Sequence, residues 1–410
     1  MRDPSSAVNA PTAVRGVSAL VFDAIEQTSR IVEGMHDNIA AGSLPHGKGT
    51  DLRTRGIARL VYDGIRVVNR SLHAALDGAL RLLSSGSAPA LSKPQWDAVR
   101  SAINGVLGDH LVASANPLAI PMTLRRDGQP LPLDAERLAA ALPDATPDVL
   151  LLVHGLCMSD RQWKRRGHDH GAALARDLGY TSVYVHYNSG RHVSENGREL
   201  ASLLETLLES WPIGRSRLTI LAHSMGGLVA RSAVRYAGEA GCKWPERLRA
   251  LVFLGTPHHG TPLERGGNRL QSIAGISPYT APLSRLGMLR SAGITDLRFG
   301  NLLDEDWNAC DRFTHRPDER ACVALPAGVD CYAVAATLGK LRGTDRLFGD
   351  GLVPVASALG RHTRAERALG FPESNQWIAL GMNHWDLLDR PEVYAKLEAW
   401  LSLRRTSSPQ

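Results

Sequence analysis

Residues 218–231, LTILAHSMGGLVAR, constrain this chain of 410 residues more than any other stretch. Leu218, Thr219, Ile220 and Leu221 form a short apolar run of strand type, and from Gly227 to Ala240 the apolar residues recur at helical spacing. Only a handful of residues, Ala222 to Gly226, separate the two, which leaves room for a tight turn and no loop. A strand that passes so abruptly into a helix needs small neighbours, because the two backbones approach closely. The residue at the apex is then held in a strained conformation with its side chain exposed above the sheet edge. Ser224 occupies that apex. The usual pattern is G-x-S-x-G; here Ala222 takes the first place and Gly226 the last, a mild departure to the next smallest residue.

The surrounding chain supplies the sheet that such a turn requires. Residues 149–153, 182–185 and 250–254 read as further buried strands, with two later ones near 331–335 and 376–380, and helices fit at 195–210 and 227–240. Strands alternating with helices imply a mostly parallel sheet covered on both faces. Between the fourth of these strands and Cys331 lie about 75 residues, too many for a plain crossover, so a cap or lid is expected at about 262–329. The first 115 residues differ in texture. Three stripes of helical spacing (Val17 to Met35, Ile57 to Leu83, Trp96 to Leu107) are separated by Gly/Pro/Ser clusters, so residues 1–115 are expected to form a helical region beside a catalytic domain at 116–405.

Composition excludes several alternatives. A hydrophobic share of 43% and a charged share of 21% suit a globular chain and argue against disorder. The net charge of +6 is carried by 41 Arg and 6 Lys spread along the sequence, with no basic block of the kind that follows a phosphate backbone, so no nucleic-acid partner is expected. The five cysteines form no C-x-x-C pair; Cys310, Cys322 and Cys331 are near enough to permit one bridge, and free thiols are the expectation. No signal-peptide pattern and no spanning apolar run is found, so a cytoplasmic location is expected, with weak membrane-surface contact left open.

Three further features follow in a telling order. His154-Gly155-Leu156 closes a core strand, where a tight loop aims a backbone N–H at a developing oxyanion. Asp350 stands in a Gly-flanked loop after a sheet strand, and His384 stands just after the last strand. The chain order Ser224, Asp350, His384 is that of the α/β-hydrolase triad and differs from the orders of other serine hydrolase folds.

From about 145 to 400 the chain resembles a bacterial lipase/esterase of the α/β-hydrolase superfamily, in the branch related to glycosylphosphatidylinositol inositol-deacylases. The residues that carry the resemblance are HGLC at 154–157, YNSGRHVSENGREL at 187–200, AHSMGGLVARSA at 222–233, LGTPHHGTPLE at 254–264, GDGLVPVASALG at 349–360 and MNHWDLL at 382–388. The resemblance implies an α/β-hydrolase fold and a serine carboxylester hydrolase acting on small-molecule or lipid esters, without a cofactor. Ser224 is the implied nucleophile, His384 the base and Asp350 its orienting acid, preferred over Asp345 because only Asp350 lies in the D-G-x-V-P stretch. Backbone N–H groups of Leu156 and Met225 form the implied oxyanion hole.

His258 and His259 are implied to line the site mouth, and His154, Gly155 and His223 join them as substrate-lining candidates, although His223 by itself reads as a packing or hydrogen-bonding residue. Asp386 corresponds to a calcium-binding position in some resembling lipases, but here reads as a solvated or capping carboxylate. Neither His168-Asp169-His170 nor His258-His259 has metal-ligand spacing, so no metal is expected. An acyltransferase, thioesterase or amidase on the same triad stays open, as does a non-catalytic binding protein on this fold. Nothing of the resemblance extends to residues 1–115.

Overall fold

The computed structural model describes residues 93–261, 291–308, 318–339 and 349–406. The first two helical stripes, much of the expected cap, Asp345 and Cys310 lie outside the described residues. The chain divides into two units. One comprises Met1–Val99, His110–Ala119 and Leu270–Leu289; the other comprises Arg100–Asp109, Ile120–Arg269 and Arg290–Gln410. Within the described part of the first lie the two ends of helix α1 (Lys93–Ala113), the helix expected from the third stripe, and a following turn in which Leu118 N donates to Asn116 Oδ1.

The second unit is built on an eight-stranded sheet. Its strands are β1 (Thr123–Arg126), β2 (Gln129–Pro130), β3 (Asp148–Val153), β4 (Thr181–His186), β5 (Arg217–His223), β6 (Leu248–Leu254), β7 (Asp330–Thr337) and β8 (Gln376–Leu380), in the order β2-β1-β4-β3-β5-β6-β7-β8. Strands β4, β3, β5, β6, β7 and β8 are mutually parallel, whereas β1 runs antiparallel to both β2 and β4. Helices α2 (Ala135–Ala141), α3 (His170–Leu178), α4 (Val193–Glu209), α5 (Met225–Glu239), α6 (Ala292–Asp296), α7 (Val355–Ala358) and α8 (Pro391–Thr406) connect and cover the strands.

All six residues of β3 are buried, as a strand covered on both faces requires. One face packs Leu150, Leu152, Leu221, Val252 and Val334 against Trp163 and Leu174 and against Leu397 and Trp400 of α8. The alternate residues Leu151, Ile220 and Leu251 are buried as well, and on α4 and α5, which pack together, Leu200, Leu204, Leu207, Leu228 and Val229 are withdrawn from water. Each such side chain contributes about 1.5–3 kcal/mol. This strand order with its crossovers is an α/β-hydrolase fold.

The hairpin β1–β2 was not among the strands expected from periodicity. Its strands are short and polar, so they carry no apolar alternation. The available signal was the turn itself: Asp127 and Gly128 both have positive φ, 52° and 71°, as a two-residue hairpin turn of right-handed sheet twist demands.

Candidate active site

Ser224 sits at the junction of β5 and α5 with φ 55° and ψ −128°, a region nearly closed to residues with a Cβ. The turn is fixed by Ser224 N donating to Leu254 O (2.8 Å) and by Gly227 N donating to Ser224 O (3.0 Å). Small residues are needed here for a measurable reason: a Cβ on Gly226 would stand 2.4 Å from Val153 O and 2.5 Å from His154 O. Such contacts are closer than real Cβ atoms come, so the helix start approaches the end of β3 only because Gly226 has no side chain.

The loop after β3 lies against the serine. A Cβ on Gly155 would fall 2.9 Å from Ser224 Cβ. Leu156, next in that loop, is buried, and Met225 opens α5, where a first-turn N–H has no intrahelical acceptor. The loop is tied down from behind: Tyr187 Oη donates to His154 O (2.8 Å), its ring stacks on His154 at 4.3 Å, and Cys157 N donates to Ser189 Oγ (3.0 Å). Cys157 itself has φ 60°, and burial pushes its thiol up to about 12. Burial also pushes His154 down to about 3, so it is a neutral ring. Tyr187 and Ser189 belong to the YNSGRHVSENGREL stretch, but sequence reasoning assigned neither of them this supporting role.

Asp350 and His384 meet in the interior, 3% and 2% exposed. His384 Nδ1 and Asp350 Oδ2 are 2.6 Å apart. Asp350 Oδ1 accepts from Leu352 N (2.9 Å) and Val353 N (2.7 Å), and Asp350 O accepts from His384 N (3.2 Å). The carboxylate is therefore saturated and fixed, and the imidazole can present a proton to it only from Nδ1. His384 Nε2 is buried without a hydrogen-bond partner in the structure, the state of a ring nitrogen waiting for a proton. The flanking glycines Gly349 and Gly351 have φ 50° and 96°, which is why the Asp350 loop is glycine-rich.

His223 precedes the serine and faces the His384 loop. Its Nε2 donates to His384 O (3.2 Å), its ring lies 4.6 Å from that of His384, and burial holds it well below the ordinary histidine range. It is a neutral ring held against the His384 loop. His258 and His259, expected together at the mouth, part company: His258 is fully buried against Phe253 and Phe371, whereas His259 is partly exposed, with Arg320 donating to its Nδ1 at 2.8 Å. Asp386 accepts from Asn383 N and faces Arg166 at 3.5 Å, a turn-capping role. His168 and His170 bond to each other at 2.8 Å, and Asp169 caps α3 through Ala172 N. Cys157, Cys242, Cys322 and Cys331 are free thiols. Among the described residues no helix is long and apolar enough to cross a membrane.

A family described as a domain of unknown function (DUF7379) matches residues 122–297, the stretch from β1 through α6. No curated protein matches the sequence. Among solved structures the chain is similar to the mature form of Bacillus licheniformis lipase BlEst2, at 16% identity and a TM-score of 0.40, covering 68% of this chain and 97% of that one. It is also similar to Aspergillus fumigatus lipase B, at 12% identity and 0.40, covering 70% of this chain and 57% of that one. The Pyrococcus furiosus esterase Pf2001 is a third, at 14% identity and 0.39, covering 63% and 82%. The fold assignment rests on this chain's own strand order and on the turn at Ser224.

Proposed function

We propose that this protein is a serine carboxylester hydrolase, with residues 1–115 as a helical accessory region, 116–405 as the catalytic domain and 262–329 as its cap. The observation that carries the reading is the strained Ser224 backbone, φ 55° and ψ −128°, in a chain that also holds a buried Asp350–His384 pair with Nε2 unpartnered. Strain of this kind persists at a site where the surrounding structure requires it.

A neutral serine is a weak nucleophile. In the proposed mechanism, Ser224 Oγ forms a bond to the ester carbonyl carbon as its proton passes to His384 Nε2. Asp350 holds the ring in the Nδ1–H tautomer and stabilises the imidazolium. The carbonyl electron pair moves onto oxygen, and the backbone N–H groups of Leu156 and Met225 receive that oxyanion. On collapse the C–O bond to the alcohol breaks and His384 returns the proton to the leaving oxygen. Water then repeats the sequence on the acyl-enzyme and releases the acid. These residues suffice for each proton and electron pair.

Within this proposal the substrate is a small-molecule or lipid ester, in keeping with the resemblance to the inositol-deacylase branch, and the protein acts in the cytoplasm. A chain-length series of p-nitrophenyl esters, run on the wild type and Ser224→Ala in parallel, tests mechanism and substrate class together. Turnover that depends on Ser224 is expected, and added alcohol should divert little acyl group from water. Efficient capture by alcohol would make the protein a transferase. Absence of turnover with every ester, together with absence of Ser224 labelling by a fluorophosphonate, would leave a binding protein.

A further inference from the structure

One charged residue of the AHSMGGLVAR string takes no part in ester chemistry. Arg231 lies seven positions after Ser224 on α5, about 10 Å along the axis. It is 5% exposed and surrounded by apolar neighbours in sequence, so a charge there needs a reason. Buried guanidinium groups are normally paired with a carboxylate. Arg231 instead donates to Val323 O, approaches His258 Nδ1 at 3.4 Å, and leaves its Nε without a partner. Among the described residues no ion pair reaches it, and burial together with the like charge of Arg320 works against its own charge, only partly offset by Cys331.

These groups border a cavity of about 250 Å³, lined by Arg231, His258, His259, Arg320, Glu366 and Arg367 among others. At about 30 Å³ for each water of the liquid, it has room for several waters or a small ligand head. The other two arginines are already engaged. Arg320 Nε and Arg367 NH1 share Asp318 Oδ1 at 3.2 and 3.0 Å, and Arg320 NH1 also donates to His258 O and Gly300 O. Arg320 and Arg367 thus share Asp318, and Asp306 acts on Arg320 as well, whereas Arg231 makes no ion pair with a described carboxylate.

His258 adds a directed donor. A guanidinium only donates, so the contact with Arg231 makes His258 Nδ1 the acceptor, and the ring, kept neutral by burial, carries its proton on Nε2. That Nε2 is buried without a partner. Two buried, unpartnered N–H groups, Arg231 Nε–H and His258 Nε2–H, thus accompany a guanidinium that no described carboxylate contacts.

We propose that this cavity binds a singly charged oxyanion, a carboxylate or a phosphate diester, through Arg231 and His258. The site stands apart from the ester-hydrolase reading, since neither residue is asked to touch the reacting carbonyl. The bound anion supplies the direct counter-charge that no described carboxylate gives Arg231.

The test is isothermal titration of the full chain at constant ionic strength with acetate and, separately, with dimethyl phosphate. One saturable site is expected for at least one of them, and the tighter of the two names the source, carboxylate or phosphodiester. Arg231→Gln should weaken that binding at least tenfold, while a surface control, Arg235→Gln, should leave it intact. If Arg231→Gln does not fold, His258→Phe, which keeps the aromatic packing on Phe253 and Phe371, should still weaken binding. No saturable binding of either anion by the wild type overturns the proposal. So does binding that survives unchanged in a folded Arg231→Gln or His258→Phe variant, which would leave Arg231 with the purely structural task of holding the Val323 carbonyl.

Discussion

The molecule buries polar groups in two places, and it does so by opposite means. Around Asp350 the acceptors are filled from within the chain: two backbone N–H groups and an imidazole occupy the carboxylate, while among the ring nitrogens His384 Nε2 and His223 Nδ1 are buried without partners. Among the described residues, Arg231 has no carboxylate partner, and Arg231 Nε and His258 Nε2 have no acceptor. Ser224 and Arg231 stand on the same turn and helix, α5 after β5, while Asp350 and His384 come from the loops after β7 and β8 and His258 from the loop after β6. The contrast teaches that an incomplete polar site is informative by what it lacks. An unpartnered imidazole nitrogen asks for a proton, whereas a cation with no carboxylate partner asks for an anion.

The comparison can be broken most severely on the first side. His384→Ala should reduce kcat on a p-nitrophenyl ester by about 10⁵–10⁶, and Asp350→Asn by about 10⁴, since the amide still accepts from Leu352 N and Val353 N while no longer fixing the Nδ1–H tautomer. Steady-state kinetics measures both, and near-UV circular dichroism checks that the variants are folded. Gly155→Ala should cost on the order of 10²–10³ in kcat, because its Cβ would meet Ser224 Cβ and must push the Leu156 N–H away from the oxyanion. A full-rate Gly155→Ala enzyme would remove that loop from the mechanism.

Acid sharpens the other half of the comparison. His154, His170, His223 and His258 are buried and held neutral, with His154 near 3 and His170 near 4. In the unfolded chain they titrate at ordinary values, so below about pH 6.5 the unfolded state binds more protons and stability falls with pH. The loss runs from about pH 6.5 down to pH 4 for His170 and down to pH 3 for His154, at about 1.4 kcal/mol per pH unit for each histidine. Urea denaturation at pH 8 and pH 5 should give a clearly lower midpoint at pH 5. The smallest effect belongs to Arg231→Gln, which should leave turnover within about a factor of three while abolishing anion binding, because the two sites share no partner.

How far the sequence disclosed this molecule depended on the kind of signal each part carries. Six parallel strands were legible because buried strands are nearly continuous apolar runs, and β3 and β5 are that. Ser224 was legible because the turn demands small residues at fixed places, a demand that the contacts of Gly226 explain. The hairpin β1–β2 was not, since its two polar edge strands have no core face to write into the sequence. Tyr187 and Ser189 stood in a recognised stretch without a role, because their tasks, holding His154 O and Cys157 N, depend on which loops fold back on one another. His258 and His259, neighbours in sequence, were expected to share a role, but a loop turns successive side chains to different surroundings, and only His258 is fully buried. Arg231 did leave a trace, as a lone charge within an apolar helix start.

The central claim, that Ser224 is an activated nucleophile, is tested most directly by mapping a fluorophosphonate adduct on the native protein by mass spectrometry. The account expects one adduct per chain, on Ser224, with ester turnover lost in step with labelling. An adduct on another residue, or turnover that survives complete modification of Ser224, would contradict it.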